Sequence, residues 1–362
     1  MRRGTTRRGR ISRISAVLTA VLLVGSVLTG CSVVQAAGTW SDPRHAVAGS
    51  GVEGAAPAPT GTDASGVATG SSAPLAPAYD VTPLLDPTRK YLGVEIDGAP
   101  DSITPAKQFA SWVGAKPNLI GQYVAWNTSF DAAAAQNAWS YGAMDFVVWE
   151  PWDTTLSDIA AGDSDAYITA FATAVRQLNV PIALSFGHEF NGNWYPWGSS
   201  DATAAQFVAA WKHVHDLFAQ AGATNVIWIW DPNVIVALPN VALAQYYPGD
   251  SYVDWVGVTG YWYQAGPFTY DSLYLPTLEE IRDFTEKPFL IAETSVQAGS
   301  NQEQSLEDLF AAVKQHSDIV GFVWYDYDKG GDWRIENRPA LLTEFQQQLA
   351  TGDFGFTVSD VK

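Results

Sequence analysis

Cysteine is almost missing: Cys31 is the only one in 362 residues, so no disulfide can form within the chain. Histidine is scarce too. There are five, and His45 sits in a Gly/Ala-rich stretch, which leaves little for a metal site. Basic charge is thin where it would matter. The formal net charge is −18, and six arginines fall within the first thirteen residues. Without those six, 14 basic residues face 38 acidic ones, a charge of −24. Such a surface repels phosphate, which argues against nucleic acid or anionic lipid as a partner. Long apolar runs are also lacking. The longest segment, 14–28, is interrupted and falls short of the about 20 residues a spanning helix needs. GxSxG and phosphate-loop patterns do not occur. His188-Glu189 begins like a zinc-protease HExxH, but Gly192 stands where the second histidine is required. No metal and no cofactor are expected.

Aromatics, by contrast, are plentiful: 13% of the chain, with 15 tryptophans. Hydrophobic residues make up 47%, enough for a large core. Residues 1–30 read as an export signal, with a basic start followed by an apolar segment. That segment ends in Leu28-Thr29-Gly30-Cys31, which resembles a bacterial lipoprotein box with Cys31 as the lipidated residue. Ordinary signal cleavage with an incidental thiol is the alternative. Arg7-Arg8 leaves a twin-arginine signal open. Residues 31–80 are rich in Gly, Ala, Pro, Ser and Thr and read as a disordered tether. The expectation is an exported monomer, held to the outer face of the membrane by a lipid on Cys31 or secreted.

Residues 81–362 read as one folded domain. Eight near-continuous apolar runs (91–97, 119–126, 144–152, 181–189, 226–232, 253–262, 288–295 and 319–326) have the character of strands covered on both faces. Amphipathic helical patterns lie between them at 105–113, 166–178, 202–221, 278–284 and 304–316, and a last one follows at 339–349. Between the fifth and sixth runs only 241–247 gives a short helical signal. Eight strand–helix units predict an α/β fold, a (β/α)8 TIM barrel.

In such a barrel the chemistry sits at the C-terminal ends of the strands. The fourth run delivers His188 and Glu189 into a loop carrying Trp194, Tyr195 and Trp197. The seventh ends at Glu293. Aromatic faces stack on the C–H faces of sugar rings, and a carboxylic acid can protonate a glycosidic oxygen. Strands four and seven lie on opposing arcs, so the two carboxyls can face each other, as a retaining glycosidase requires at about 5–5.5 Å. A Glu in an ordinary loop is the alternative for the first motif.

The segment His188-Glu189-Phe190-Asn191-Gly192-Asn193-Trp194, followed by Trp197-Gly198, resembles the acid/base signature of glycoside hydrolase family 26. Ile291-Ala292-Glu293-Thr294 is similar to that family's nucleophile strand, 256–262 to its sixth strand, and Val323-Trp324 with Asp332-Trp333-Arg334-Ile335 to its closing segment. The likeness spans about residues 90–350, and the first motif is the most specific. It implies a retaining endo-β-glycanase, with β-1,4-mannan as the first substrate and a β-1,3-1,4-glucan or the cell's own exopolysaccharide as alternatives. It also implies Glu189 as acid/base, Glu293 as nucleophile and Tyr261 as a hydrogen-bond partner of Glu293. His188 would touch the −1 sugar or the nucleophile, Trp324 would floor the −1 subsite, and Trp194 would line the leaving-group side. Trp149 and Asn233, with Trp126 and Trp152, are candidates for outer subsites. Core packing stays open for Trp324, rim packing for Tyr261 and a structural role for His188. One departure stands out: Tyr325 follows Trp324 where several mannanases place an Arg. A non-catalytic surface lectin on the same scaffold is the rival from another class, though it would need neither glutamate.

Overall fold

The computed structural model describes residues 76–238 and 241–361. The signal, Cys31 and nearly all of the tether lie outside the described residues. Eight parallel strands close into a barrel in sequence order. They are β1 (Tyr91–Ile96), β2 (Leu119–Ala125), β3 (Met144–Glu150), β4 (Ile182–Phe186), β5 (Val226–Trp230), β6 (Trp255–Thr259), β7 (Phe289–Thr294) and β8 (Ile319–Asp326). Each coincides with one of the apolar runs.

Around them run α1 (Thr104–Val113), α2 (Ala132–Tyr141), α3 (Leu156–Ala161), α4 (Asp165–Leu178), α5 (Ala204–Gln220), α6 (Tyr270–Leu273), α7 (Leu275–Arg282), α8 (Gln302–Gln315) and α9 (Pro339–Leu349). The amphipathic patterns do not reveal α2, which is alanine-rich with little facial contrast. Its punctuation is clearer. The Asp131 carboxylate accepts from the N–H groups of Ala133 and Ala134, and Gly142 closes it in the left-handed region. Between β5 and β6 the short helical signal becomes a 3-10 turn, Leu243–Tyr246.

Alternation along the strands sorts side chains into two shells. Phe146, Val148, Ala183, Ile227, Ile229, Leu290, Ala292 and Val323 fill the barrel interior. Val147, Trp149, Leu184, Trp228, Trp230, Phe322 and Trp324 face the helices. Two expected sugar platforms are corrected by this parity. Trp149 is fully buried and stacked on Phe171 of α4, with centroids 4.3 Å apart. Trp324 is fully buried against Phe345 of α9, at 5.3 Å. Both indoles belong to the layer between sheet and helices, because each lies an even number of residues from an outward neighbour. Trp126 joins them, tilted on Trp149 at 4.5 Å.

Candidate active site

Glu95 on β1, Tyr123 on β2 and Asp231 just past β5 all point inward at the mouth. Glu293 would not, if β7 alternated strictly, because Ile291 faces outward. The pairing slips instead. Gly257 pairs with Leu290 but Thr259 with Glu293, and on the other side Ile291 pairs with Phe322 but Thr294 with Trp324. The extra residue is a β-bulge, a device that re-aims a side chain beside a site. It turns Glu293 into the mouth.

Glu189 arrives differently. The chain leaves β4 through Gly187 and Glu189, both at positive φ, +60° and +51°. The left-handed region costs a non-glycine residue about 1 kcal/mol, so the surroundings must hold Glu189 there. The Glu189 N–H donates to Asp231 O at 2.7 Å. Asn191, fully buried, donates to Asn233 O at 2.7 Å and accepts from the Asn233 N–H at 2.8 Å. The loop after β4 is thereby fastened to the segment after β5. At Gly192 a Cβ would come within 2.5 Å of the Trp194 ring, so this glycine is what lets the indole approach.

The Glu189 carboxyl is 8% exposed. Trp194 Nε1 donates to Oε2 at 2.7 Å, and Asn233 Nδ2 donates to Oε1. Burial foremost, then the Glu293 charge, pushes its pKa up to about 8 despite those two donors. Glu293, 9% exposed, accepts from Tyr261 Oη at Oε1 and from Tyr123 Oη at Oε2, and Glu95 is hydrogen-bonded to it as well. Burial raises Glu293, and these three partners pull it back. Burial raises both carboxyls, but the neighbouring charge acts further upward on Glu189 while hydrogen bonds act downward on Glu293, the direction in which a double displacement needs the proton on Glu189 and the charge on Glu293.

His188 is 2% exposed, and burial lowers its pKa to about 3, so the ring is neutral. It lies 4.9 Å from the Tyr195 ring and 5.9 Å from those of Tyr123 and Trp197. Tyr195 and Trp197 stack at 4.4 Å, and Trp197 Nε1 donates to His188 O. Trp194 is half-buried beside Glu189. Asn233, expected at an outer subsite, is 7% exposed and spends its amide on Glu189. Trp152 donates to Glu150 Oε2 at 3.1 Å and packs on Trp197 at 4.9 Å.

Sequence reasoning missed Tyr123, Glu95 and the inward Tyr325. Tyr325, Tyr327 and Trp333 cluster with Tyr123, Tyr261 and Tyr263 around Glu293. Tyr261 lies 4.9 Å from Trp333 and 5.6 Å from Tyr325. This cluster, and not Trp324, lies beside Glu293. Tyr325 shares the parity of the inward Val323, but β8 is buried on both faces, so its sequence does not show which parity faces in. No group of three or more His, Cys, Asp or Glu suited to a metal ion occurs among the described residues. Among those residues, no helix is long and apolar enough to cross a membrane.

The family model described as "Glycosyl hydrolase family 26" matches residues 154–333. Endoglucanase H of Acetivibrio thermocellus is 29% identical over 269 residues, covering 70% of this chain and 30% of that protein. A mannan endo-1,4-beta-mannosidase of Bacillus subtilis is 27% identical over 176 residues, covering 45% of this chain and 44% of the relative. The chain thus spans less than half the length of these two curated relatives. Among solved structures, the catalytic domain of an endo-beta-1,4-mannanase from Bacillus sp. JAMB-750 superposes with a TM-score of 0.59. It covers 76% of this chain and 90% of that one at 18% identity, a likeness of fold.

Proposed function

The chain belongs to glycosyl hydrolase family 26, and we propose that it is a retaining endo-β-glycanase acting on β-1,4-mannan. The observation that carries the reading is the pair of buried carboxyls at one barrel mouth, Glu189 held by Trp194 and Asn233 and Glu293 held by Tyr261 and Tyr123. Glu293, oriented by Tyr261 and Tyr123, attacks the anomeric carbon while Glu189 gives its proton to the departing glycosidic oxygen. Once the Glu293 charge is consumed in the glycosyl ester, Glu189 loses the larger of the two neighbouring charges that held its proton. It then takes a proton from water, which opens the ester with net retention. Trp194 is suited to the leaving-group side, and the Tyr261–Tyr325–Trp333 cluster to the −1 sugar.

Mannan is supported by the mannosidases among the relatives. One observation favours a β-glucan instead: the relative matching 70% of the chain carries the name of an endoglucanase. Export and anchoring through a lipid on Cys31 are supported by the order of basic, apolar and Leu-Thr-Gly-Cys segments. The protein is proposed to act as a monomer.

The test is reducing-end release from mannan, glucomannan, barley β-glucan, xylan and β-1,3-xylan. Cleavage of plain mannan and not of barley glucan supports the mannanase, and the reverse moves the protein to the glucanase reading. Glu189→Ala and Glu293→Ala should each lose turnover by orders of magnitude, with azide restoring part of it to Glu189→Ala on an activated aryl glycoside. Near-normal activity in either variant removes the assignment.

A further inference from the structure

Glu95 is a fully buried carboxyl that neither attacks the sugar nor protonates the leaving group. Room has been made for it. Gly121 pairs with it across β1 and β2, and a Cβ there would come within 2.3 Å of Glu95 Cγ and 2.7 Å of Oε1. The groups facing it are Tyr123 from β2, Asp231 from the end of β5, Glu293 from β7 and Tyr325 from β8. Tyr261 and Glu189 face Glu293 from the loops after β6 and β4. Cationic side chains are missing from this set.

The hydrogen count decides what Glu95 is. The Tyr123 hydroxyl lies 2.8 Å from Glu95 Oε2 and is also hydrogen-bonded to Glu293 Oε2. A phenol has one hydrogen and donates once. One of the two carboxyls must therefore supply the other hydrogen, and only a protonated carboxyl can. Glu293 has a second donor in Tyr261, which suits the ionised form. Glu95 Oε1 receives no N–H or O–H from a described residue, so nothing there stabilises a charge on that buried oxygen.

We infer that Glu95 is a positioning residue, a neutral carboxylic acid whose proton is given to the Tyr123–Glu293 pair and keeps the nucleophile ionised and aimed. The hydrogen of Glu95 goes into the Tyr123–Glu293 contact, to Tyr123 Oη or directly to Glu293, and Tyr123 supplies the other hydrogen of the set. Burial and the neighbouring Glu293 charge both push the Glu95 pKa well up, in the same direction. Two buried carboxyls sharing one hydroxyl do not both ionise. The inference rests on the glycosidase reading for its kinetic half only.

The spectroscopic half is independent of any substrate. Infrared difference spectra of the whole chain at neutral pH, wild type minus Glu95→Gln, should contain a protonated-carboxyl C=O band. Superimposable spectra in that region would overturn the inference, even if every glycan is cut as proposed. A band with no turnover in the wild type would instead leave Glu95 as inferred and remove the glycosidase. In kinetics, Glu95→Ala should lower kcat/KM about tenfold or more, and its acid limb should move up by about one pH unit. Glu95→Gln keeps an N–H for Tyr123 and should recover most of that loss, with the limb back near its wild-type position. A Gln variant as impaired as Ala, or an Ala variant with the wild-type profile, would overturn the role.

Discussion

Replacing Glu189 by Gln should stabilise the protein, and the gain should grow with pH. In the folded chain Glu189 keeps its proton up to about pH 8, against an ordinary value of 4.5. Below about pH 4.5 both folded and unfolded chains hold the proton and the group contributes no cost. Between 4.5 and 8 the unfolded chain releases the proton while the folded chain retains it, so stability falls as pH rises. Above 8 the folded chain carries a buried anion and the loss is complete. At about pH 7 the penalty is about 3 kcal/mol, taken at about 1.4 kcal/mol per pH unit. Gln has the same volume and no charge, but it turns an NH2 toward either Trp194 Nε1 or Asn233 Nδ2 and forfeits one hydrogen bond, about 1 kcal/mol. The net gain should be about 1–2 kcal/mol near neutrality, and about zero or slightly negative near pH 4.5. Urea unfolding of both proteins at about pH 4.5, 7 and 8.5 measures it. Stability curves that stay parallel across that range, or converge as pH rises, would refute the reasoning.

Tyr261→Phe should lower kcat/KM about 10- to 100-fold and move its acid limb upward, because the donor lost is one that favours ionised Glu293. An unmoved limb in the pH profile would count against the hydrogen bond. Asn233→Ala should move the basic limb above about 8, since its amide favours the charged form of Glu189; a downward move would place Asn233 elsewhere in the cycle. Trp324→Ala should cost about 3–5 kcal/mol in a denaturant melt yet leave kcat and KM within about twofold at temperatures where it stays folded. A large rise in KM would return Trp324 to the sugar site.

The barrel could be read from the sequence because its strands are buried on both faces, and near-continuous apolar runs at regular spacing have few other homes. The acid/base loop could be read as well, since His188-Glu189 stands at the point where an apolar run gives way to Asn, Gly and Trp. Two effects hid the rest. The parity of each strand is invisible in a run that is apolar on both faces, so Trp149 and Trp324 looked as eligible for the mouth as Tyr123 and Tyr325. The bulge that turns Glu293 inward is a matter of pairing with β6 and β8, which no local pattern encodes. Asn233 was noticed for its position, but its partner, 44 residues back in the chain, emerges only when β4 and β5 lie side by side. Glu95 sits in an apolar strand, Tyr-Leu-Gly-Val-Glu-Ile, with Gly121 as its only hint.

The central claim is double displacement through Glu293, and its most direct test is the anomer formed first. Proton NMR of a manno-oligosaccharide or barley-glucan digest by the wild-type protein, begun before mutarotation, should show the β-anomer appearing first and the α-anomer only later. An α-anomer at the earliest time points would contradict the account, because it would mean that water, and not Glu293, attacks the sugar.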